Sequence, residues 1–241
     1  MLPQLSIPLY DCTLPSGRQI TFRPFLVKEE KLLLMARQAD DTETMVNAIK
    51  QILTNCIQNL SESIDHLPLF DIEYLFLQLR ARSIGEVVTL RYKCNGANTE
   101  SNTECGTIST YPVNLLEISP KFGENHNKTI PLTKDVGVMM KYPIFSSFMK
   151  IAKEDLPADE AYRVLMNCIE SVYDKEKTYS TKEIPEEELR SFLDSLTSGQ
   201  VQKIDHFFES MPKIETVVHF ECPKCHVKED LLVSGLEAFF A

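Results

Sequence analysis

No stretch of this 241-residue chain approaches the roughly 18 consecutive apolar residues of a membrane span. No glycine-rich phosphate loop, His-Glu-x-x-His or Gly-x-Ser-x-Gly motif is present either. The usual sequence evidence for nucleotide-dependent, metalloprotease or serine-hydrolase chemistry is therefore missing. Positive charge is scarce: 25 basic residues stand against 35 acidic ones, a formal net charge of -10. Such a chain repels a phosphate backbone unless a basic face is segregated, and the sequence supplies none. Met1-Leu2-Pro3-Gln4 lacks the basic start and apolar stretch of a secretory signal, so a soluble, cytosolic beginning is expected. Internal repeats, low-complexity tracts and Gly/Ser linkers are absent, and the composition does not split the chain into independent domains. The acidic runs Asp40-Asp41 and Glu186-Glu187-Glu188 read as caps or solvated faces, and His66, His126 and His206 have no partner at a useful spacing.

What is present is a succession of short patterned segments, with 43% hydrophobic residues to build a core. Residues 9–25 alternate apolar and polar on either side of Pro15-Ser16-Gly17, which predicts a hairpin with Ile20 and Phe22 facing one way and Thr21 and Arg23 the other. The period then changes to that of helices over 27–38, over 42–59 with a cap at Asp40-Asp41, and over 71–82. Strands are expected over 87–92, within 107–116, near Ile130 and over 217–221. Helices are expected near Pro143, over 157–172, from Pro185 to about Leu196, and over 198–210, the last opened by the Thr197-x-x-Gln200 capping-box spacing. A short hairpin centred on Asp174-Lys175-Glu176 fits 172–180. The expected class is α+β: a mainly helical body with an N-terminal β-hairpin and a split zinc-ribbon-like β element. As one domain this gives 1–25 as hairpin, 26–85 as helices, 86–116 with 214–241 as the ribbon-like element, and 117–213 as a mainly helical insertion.

Seven cysteines are distributed unevenly. Cys12, Cys56 and Cys168 lie in apolar patterns where a thiol acts as a small hydrophobe. Cys222-x-x-Cys225 follows a strand and precedes an apolar segment, as in a zinc knuckle. Cys94 and Cys105 are flanked by strands, so a hairpin can bring them equally close. In a reducing cytosol these four are better read as ligands of one tetrahedral, structural Zn²⁺ than as two disulfides. His219 and His226 are possible substitutes but fit strand-face positions. Four filled positions leave none open for substrate. Lys93, Lys224 and Lys228, beside Glu221, Glu229 and Asp230, are too few to form a phosphate groove around the site.

Several phrases spread along the chain resemble the family of T4-like phage baseplate hub proteins. They are Leu14-Pro15-Ser16-Gly17-Arg18, the run from Arg23-Pro24-Phe25 to Lys31, Arg82-Ser83-Ile84-Gly85-Glu86, Phe207-Phe208 before Met211-Pro212, and the ending Gly235-Leu236-Glu237-Ala238-Phe239-Phe240. The family's paired cysteines match Cys94, Cys105, Cys222 and Cys225. The resemblance implies a non-enzymatic component of the tail baseplate hub, in the virion after assembly in the host cytoplasm, or a transient factor that assembles the hub. The implied partners are other hub, wedge, tail tube or spike proteins, without nucleic acid, membrane span or small-molecule substrate. A zinc-dependent hydrolase or nucleic-acid-binding zinc protein is the less favoured reading. The apolar end, Leu231 to Val233 with Leu236, Phe239 and Phe240, is expected either to pack on the zinc-bearing layer or to dock into a neighbouring hub protein.

Overall fold

Residues 5–39, 41–60, 62–96, 105–146 and 158–234 are described in the computed structural model of the chain. They fall into two compact units, the first drawn from Met1–Ile64, Phe70–Lys121 and Lys213–Ala241, the second from Asp65–Leu69 and Phe122–Pro212.

In the first unit the N-terminal alternation gives β1 (Tyr10–Thr13) and β2 (Gln19–Phe22), antiparallel with Tyr10 opposite Phe22. Ile20 and Phe22 are buried and Thr21 between them is not, as the period of two requires. Gly17, at φ +91°, takes the left-handed position that closes the turn. The buried Asp71 carboxylate accepts the Ser16 N–H at 3.0 Å, and burial pushes its pKa above the usual carboxylate range. Three helices follow: α1 (Val27–Ala39), α2 (Thr42–Cys56) and α3 (Leu69–Ser83). Asp41 caps α2 by accepting the Thr44 N–H at 2.8 Å, and Ile49, Ile52, Leu53 and Cys56 form its buried stripe. Along α3, Ile72, Leu75, Phe76 and Leu79 are fully buried. Leu77 and Ala81 of α3 pack with Val88, Val113, Leu115, Ile118 and Ile214, joining the helices to the strands.

Those strands are β3 (Val87–Lys93), β4 (Ile108–Asn114), β5 (Pro120–Lys121) and, far along the chain, β10 (Lys213–Glu221) and β11 (Lys228–Ser234). β3 and β4 pair as one antiparallel sheet, and the order β11-β10-β5 makes another. Lys121 lies opposite Lys213, so the chain leaves and re-enters this unit at neighbouring positions.

Glu29 is 1% exposed although it sits in the first turn of α1. Its carboxylate accepts from the Arg23 guanidinium at 3.0 Å and from the Leu26 N–H at 2.9 Å. Burial alone would raise its pKa, but these bonds outweigh it and hold the group below the usual glutamate range. A depressed folded-state pKa contributes stability that is present above the unfolded-state value and lost as pH falls through the folded one. The stability gap between wild type and Glu29→Gln is therefore expected to be full at neutral pH and to shrink on acidification. Urea midpoints of both proteins across that range test this, and a gap that widens with acid contradicts it.

The second unit carries a four-stranded antiparallel sheet in the order β6-β7-β8-β9, from β6 (Thr129–Pro131), β7 (Gly137–Met140), β8 (Ile169–Tyr173) and β9 (Thr178–Ser180). Helices α4 (Ala158–Asn167), α5 (Glu186–Asp194) and α6 (Ser198–Glu209) accompany it. Val138, Met140, Met166, Ile169, Leu189, Leu193, Ile204 and Phe207 share its core. The Gln200 side chain accepts the Thr197 N–H at 2.8 Å, the reciprocal bond of the capping box.

This sheet corrects the expected fold class. The chain is α+β, but with 38% helix, 28% strand and four sheets of two to four strands there is no mainly helical body among the described residues. The helix expected over 157–172 stops at Asn167, because β8 is an inner strand of the sheet and takes backbone bonds from β7 on one side and β9 on the other. The helix expected near Pro143 falls largely on 147–157, and Phe239 with Phe240 on 235–241, all outside the described residues.

Candidate metal centre

Two hairpin ends of the first unit carry the four cysteines. The β3–β4 ladder continues past its strands: the Cys94 N–H donates to the Thr107 carbonyl at 2.9 Å, the Gly106 N–H to the Cys94 carbonyl at 3.0 Å, and the Cys105 N–H to the Gly96 carbonyl at 2.7 Å. The β10–β11 turn is built alike, with the Cys222 N–H donating to the Val227 carbonyl at 2.9 Å and the His226 N–H to the Cys222 carbonyl at 3.0 Å. The second cysteine of each pair is followed by a left-handed residue, Gly106 at φ +61° and His226 at φ +56°. Glycine adopts this freely, whereas histidine there stores about 1 kcal/mol of strain.

The two ends face each other. Phe220 of β10, 2% exposed, packs edge-on against Tyr92 at 4.6 Å and Tyr111 at 5.3 Å between ring centroids. The Tyr111 hydroxyl donates to the Glu221 carbonyl at 2.9 Å, and the Tyr92 hydroxyl to the Glu229 carboxylate at 2.5 Å. This aromatic step brings Cys94 Sγ to 3.5 Å from Cys225 Sγ, and Cys105 Sγ to 3.7 Å from Cys222 Sγ. All four sulfurs lie within 4.8 Å of one another. Tetrahedral coordination at a Zn–S length of about 2.3 Å requires S···S edges of about 3.8 Å. A disulfide requires about 2.05 Å, and all seven cysteines are free.

Local donors prepare the sulfurs unequally. Backbone N–H groups of Cys225 and Lys224 hold Cys222 down to about 6. The Thr107 hydroxyl, 3.2 Å from Cys105 Sγ, lowers that thiol as well. Burial pushes Cys94 up to about 12, despite the Gly96 N–H that donates to its sulfur at 3.4 Å. At Cys225 the Val227 N–H favours the thiolate, yet burial and the neighbouring thiols raise it. Local hydrogen bonds thus favour the thiolate at Cys222 and Cys105, and burial with neighbouring thiols favours the thiol at Cys94 and Cys225. The four cysteines are able to bind a metal ion.

The structure brings together Cys94, Cys105, Cys222 and Cys225, and leaves the other candidates outside. His219 and His226 have side chains 81% and 76% exposed and face Asp230 and Glu221. Cys12, Cys56 and Cys168 take no part in the cluster, and burial raises all three.

Sequence reasoning passes over Gly96. A Cβ there would stand 2.8 Å from Val227 Cγ2 and 3.2 Å from Cys225 Sγ, so this backbone must approach the opposite turn closely. The available signal is a glycine two residues after a candidate ligand. Gly96→Ala is expected to cost about 1–3 kcal/mol through overpacking, read as a lower urea midpoint by circular dichroism. An unchanged midpoint means that the two turns are not held this closely.

A family model described as T4 bacteriophage base plate protein matches residues 7–241. The chain belongs to that family. No curated protein and no solved structure gives a match. As a member of the base plate protein family it is a structural component of a phage baseplate, a particle held together by contacts among its proteins. Among the described residues of this base plate protein, no helix is long and apolar enough to cross a membrane.

Proposed function

We propose that this base plate protein is a non-enzymatic component of the tail baseplate hub, and that Cys94, Cys105, Cys222 and Cys225 hold one structural zinc ion. The observation that carries the reading is the four-sulfur cage in a chain matched to its family from end to end. A cation at the centre would favour the thiolate at all four positions, including Cys94 and Cys225, which are otherwise held protonated. Four thiolates fill the coordination shell of Zn²⁺, so the ion would clamp the two hairpins and leave no position for a substrate. Zinc supplies the cross-link. The protein's own residues supply its alignment: Phe220, Tyr92 and Tyr111 set the distance between the turns, and the Gly96 and Lys224 N–H groups orient the sulfurs.

Function then rests on protein–protein contact within the virion. Nucleic acid is not a partner on this reading, because a net charge of -10 offers no counterion release to drive association. Mass spectrometry of purified tails is expected to find the protein, and elemental analysis of the isolated chain about one equivalent of zinc. A protein abundant in infected cells but absent from finished tails is instead a transient assembly factor. Submicromolar, salt-dependent DNA binding in a gel-shift assay would remove the purely protein-contact reading.

A further inference from the structure

The second unit, remote in chemistry from the cysteine cage, contains a cavity of about 430 Å³. Its lining includes Lys141, just past β7, Arg163 of α4, and Lys182 in the connection from β9 to α5. Glu186 is the one carboxylate among the lining residues. Three cations against one acid is a local reversal in a chain whose net charge is -10. Neither Lys141 nor Lys182 has an ion-pair partner among the described residues, whereas Lys175 and Lys228 do. Both are exposed, so their charges reach solvent at the rim.

Beneath the rim the cavity is apolar. Met166 is 5% exposed and Leu189 7%, and both belong to the core of the unit. The cavity is therefore rigidly floored by packed side chains. A volume of this size suits a few amino-acid side chains better than a single small anion, which would meet the lysines and leave the floor wet.

We propose that this cavity is a docking site for an acidic segment of a neighbouring protein, with carboxylates on Lys141, Arg163 and Lys182 and an apolar side chain on Met166 and Leu189. Charge complementarity chooses the partner: the chain carries a net charge of -10, so an acidic segment is repelled overall and is steered to a cavity where cations converge. Exposed cation–carboxylate contacts are individually weak. Two or three of them around a desolvated apolar anchor give a specific, salt-sensitive contact.

The test uses the full chain and a fluorescent peptide alternating glutamate and leucine, read by anisotropy. The isosteric glutamine–leucine peptide, inorganic phosphate and a short DNA duplex serve as competitors. The glutamate peptide is expected to bind, to weaken with added salt, and to lose affinity about tenfold in Lys141→Glu/Lys182→Glu. Lys134→Glu, an exposed lysine outside the cavity lining, is expected to bind like wild type. The milder Lys141→Gln/Lys182→Gln variant, which adds no repulsion, should show a smaller loss in the same direction. No binding overturns the proposal, as does equal binding of the glutamine peptide, which would leave only an apolar groove. Displacement by phosphate or by the duplex as readily as by unlabelled peptide also overturns it, since the site would then recognise a free anion or nucleic acid.

Discussion

Cys222→Ser is expected to abolish stoichiometric zinc binding and to destabilise the first unit by about 4–5 kcal/mol. The magnitude follows from treating the ion as a cross-link. It joins segments separated by a loop on the order of a hundred residues, and closing such a loop is worth about 4.7 kcal/mol in the chain-entropy estimate. The gross binding energy of a structural zinc is larger, on the order of 10 kcal/mol, but hairpins that already share a core do not need all of it. Cys168→Ala supplies the contrast. That thiol is 2% exposed in the core of the second unit, so its loss should cost about 1–3 kcal/mol and leave zinc in place. Elemental analysis and thermal melts with and without chelator read both. Wild-type protein free of zinc, or a Cys222→Ser melt matching wild type, removes the clamp.

Phe220→Ala should be nearly as damaging while leaving every ligand intact. The ring is buried against Tyr92 and Tyr111 and packs in the same cluster as Cys94 and Cys222. Truncating a buried phenylalanine costs about 3–5 kcal/mol. The expected signature is a lower urea midpoint together with faster zinc loss to a chelator, at an unchanged zinc content when metal is in excess. Phe220→Leu should recover part of both. A cost below about 1 kcal/mol would mean that the turns are aligned by something other than this aromatic step.

Some of this architecture is legible residue by residue. The α2 stripe from Ile49 to Cys56, the Asp41 cap and the Gln200 capping bond are local, each decided within four to seven neighbours, and each is found where the sequence puts it. The apolar segment after Cys225 forms strand β11. The sheet of the second unit is different in kind. Its strands β6 and β9 are three residues each, too short to display a period of two, and β7 shifts register between Met139 and Met140. Residues 162–172 contain no glycine or proline, so no breaker residue marks where α4 must end and β8 begin. The decision lies in β7 and β9, whose free backbone groups claim that segment. At the metal centre the four cysteines and their convergence were legible, whereas the packing that aligns them was not. Gly96, Val227 and Phe220 act across a long sequence separation, and single-chain periodicity carries no such information.

The split of the cage across the chain also sets an order in time. Cys94 and Cys105 emerge from the ribosome roughly 120 residues before Cys222 and Cys225, which at about 5–20 residues per second is on the order of ten seconds. During that interval the segment Phe122–Pro212 is synthesised whole, with its own sheet and core. The half-site must wait as two unmatched thiols, and it can close only when Cys222 and Cys225 arrive. On the proposed zinc reading, occupancy would report that synthesis has passed Cys225: a chain stopped before Cys222 keeps one cysteine pair and never acquires the other.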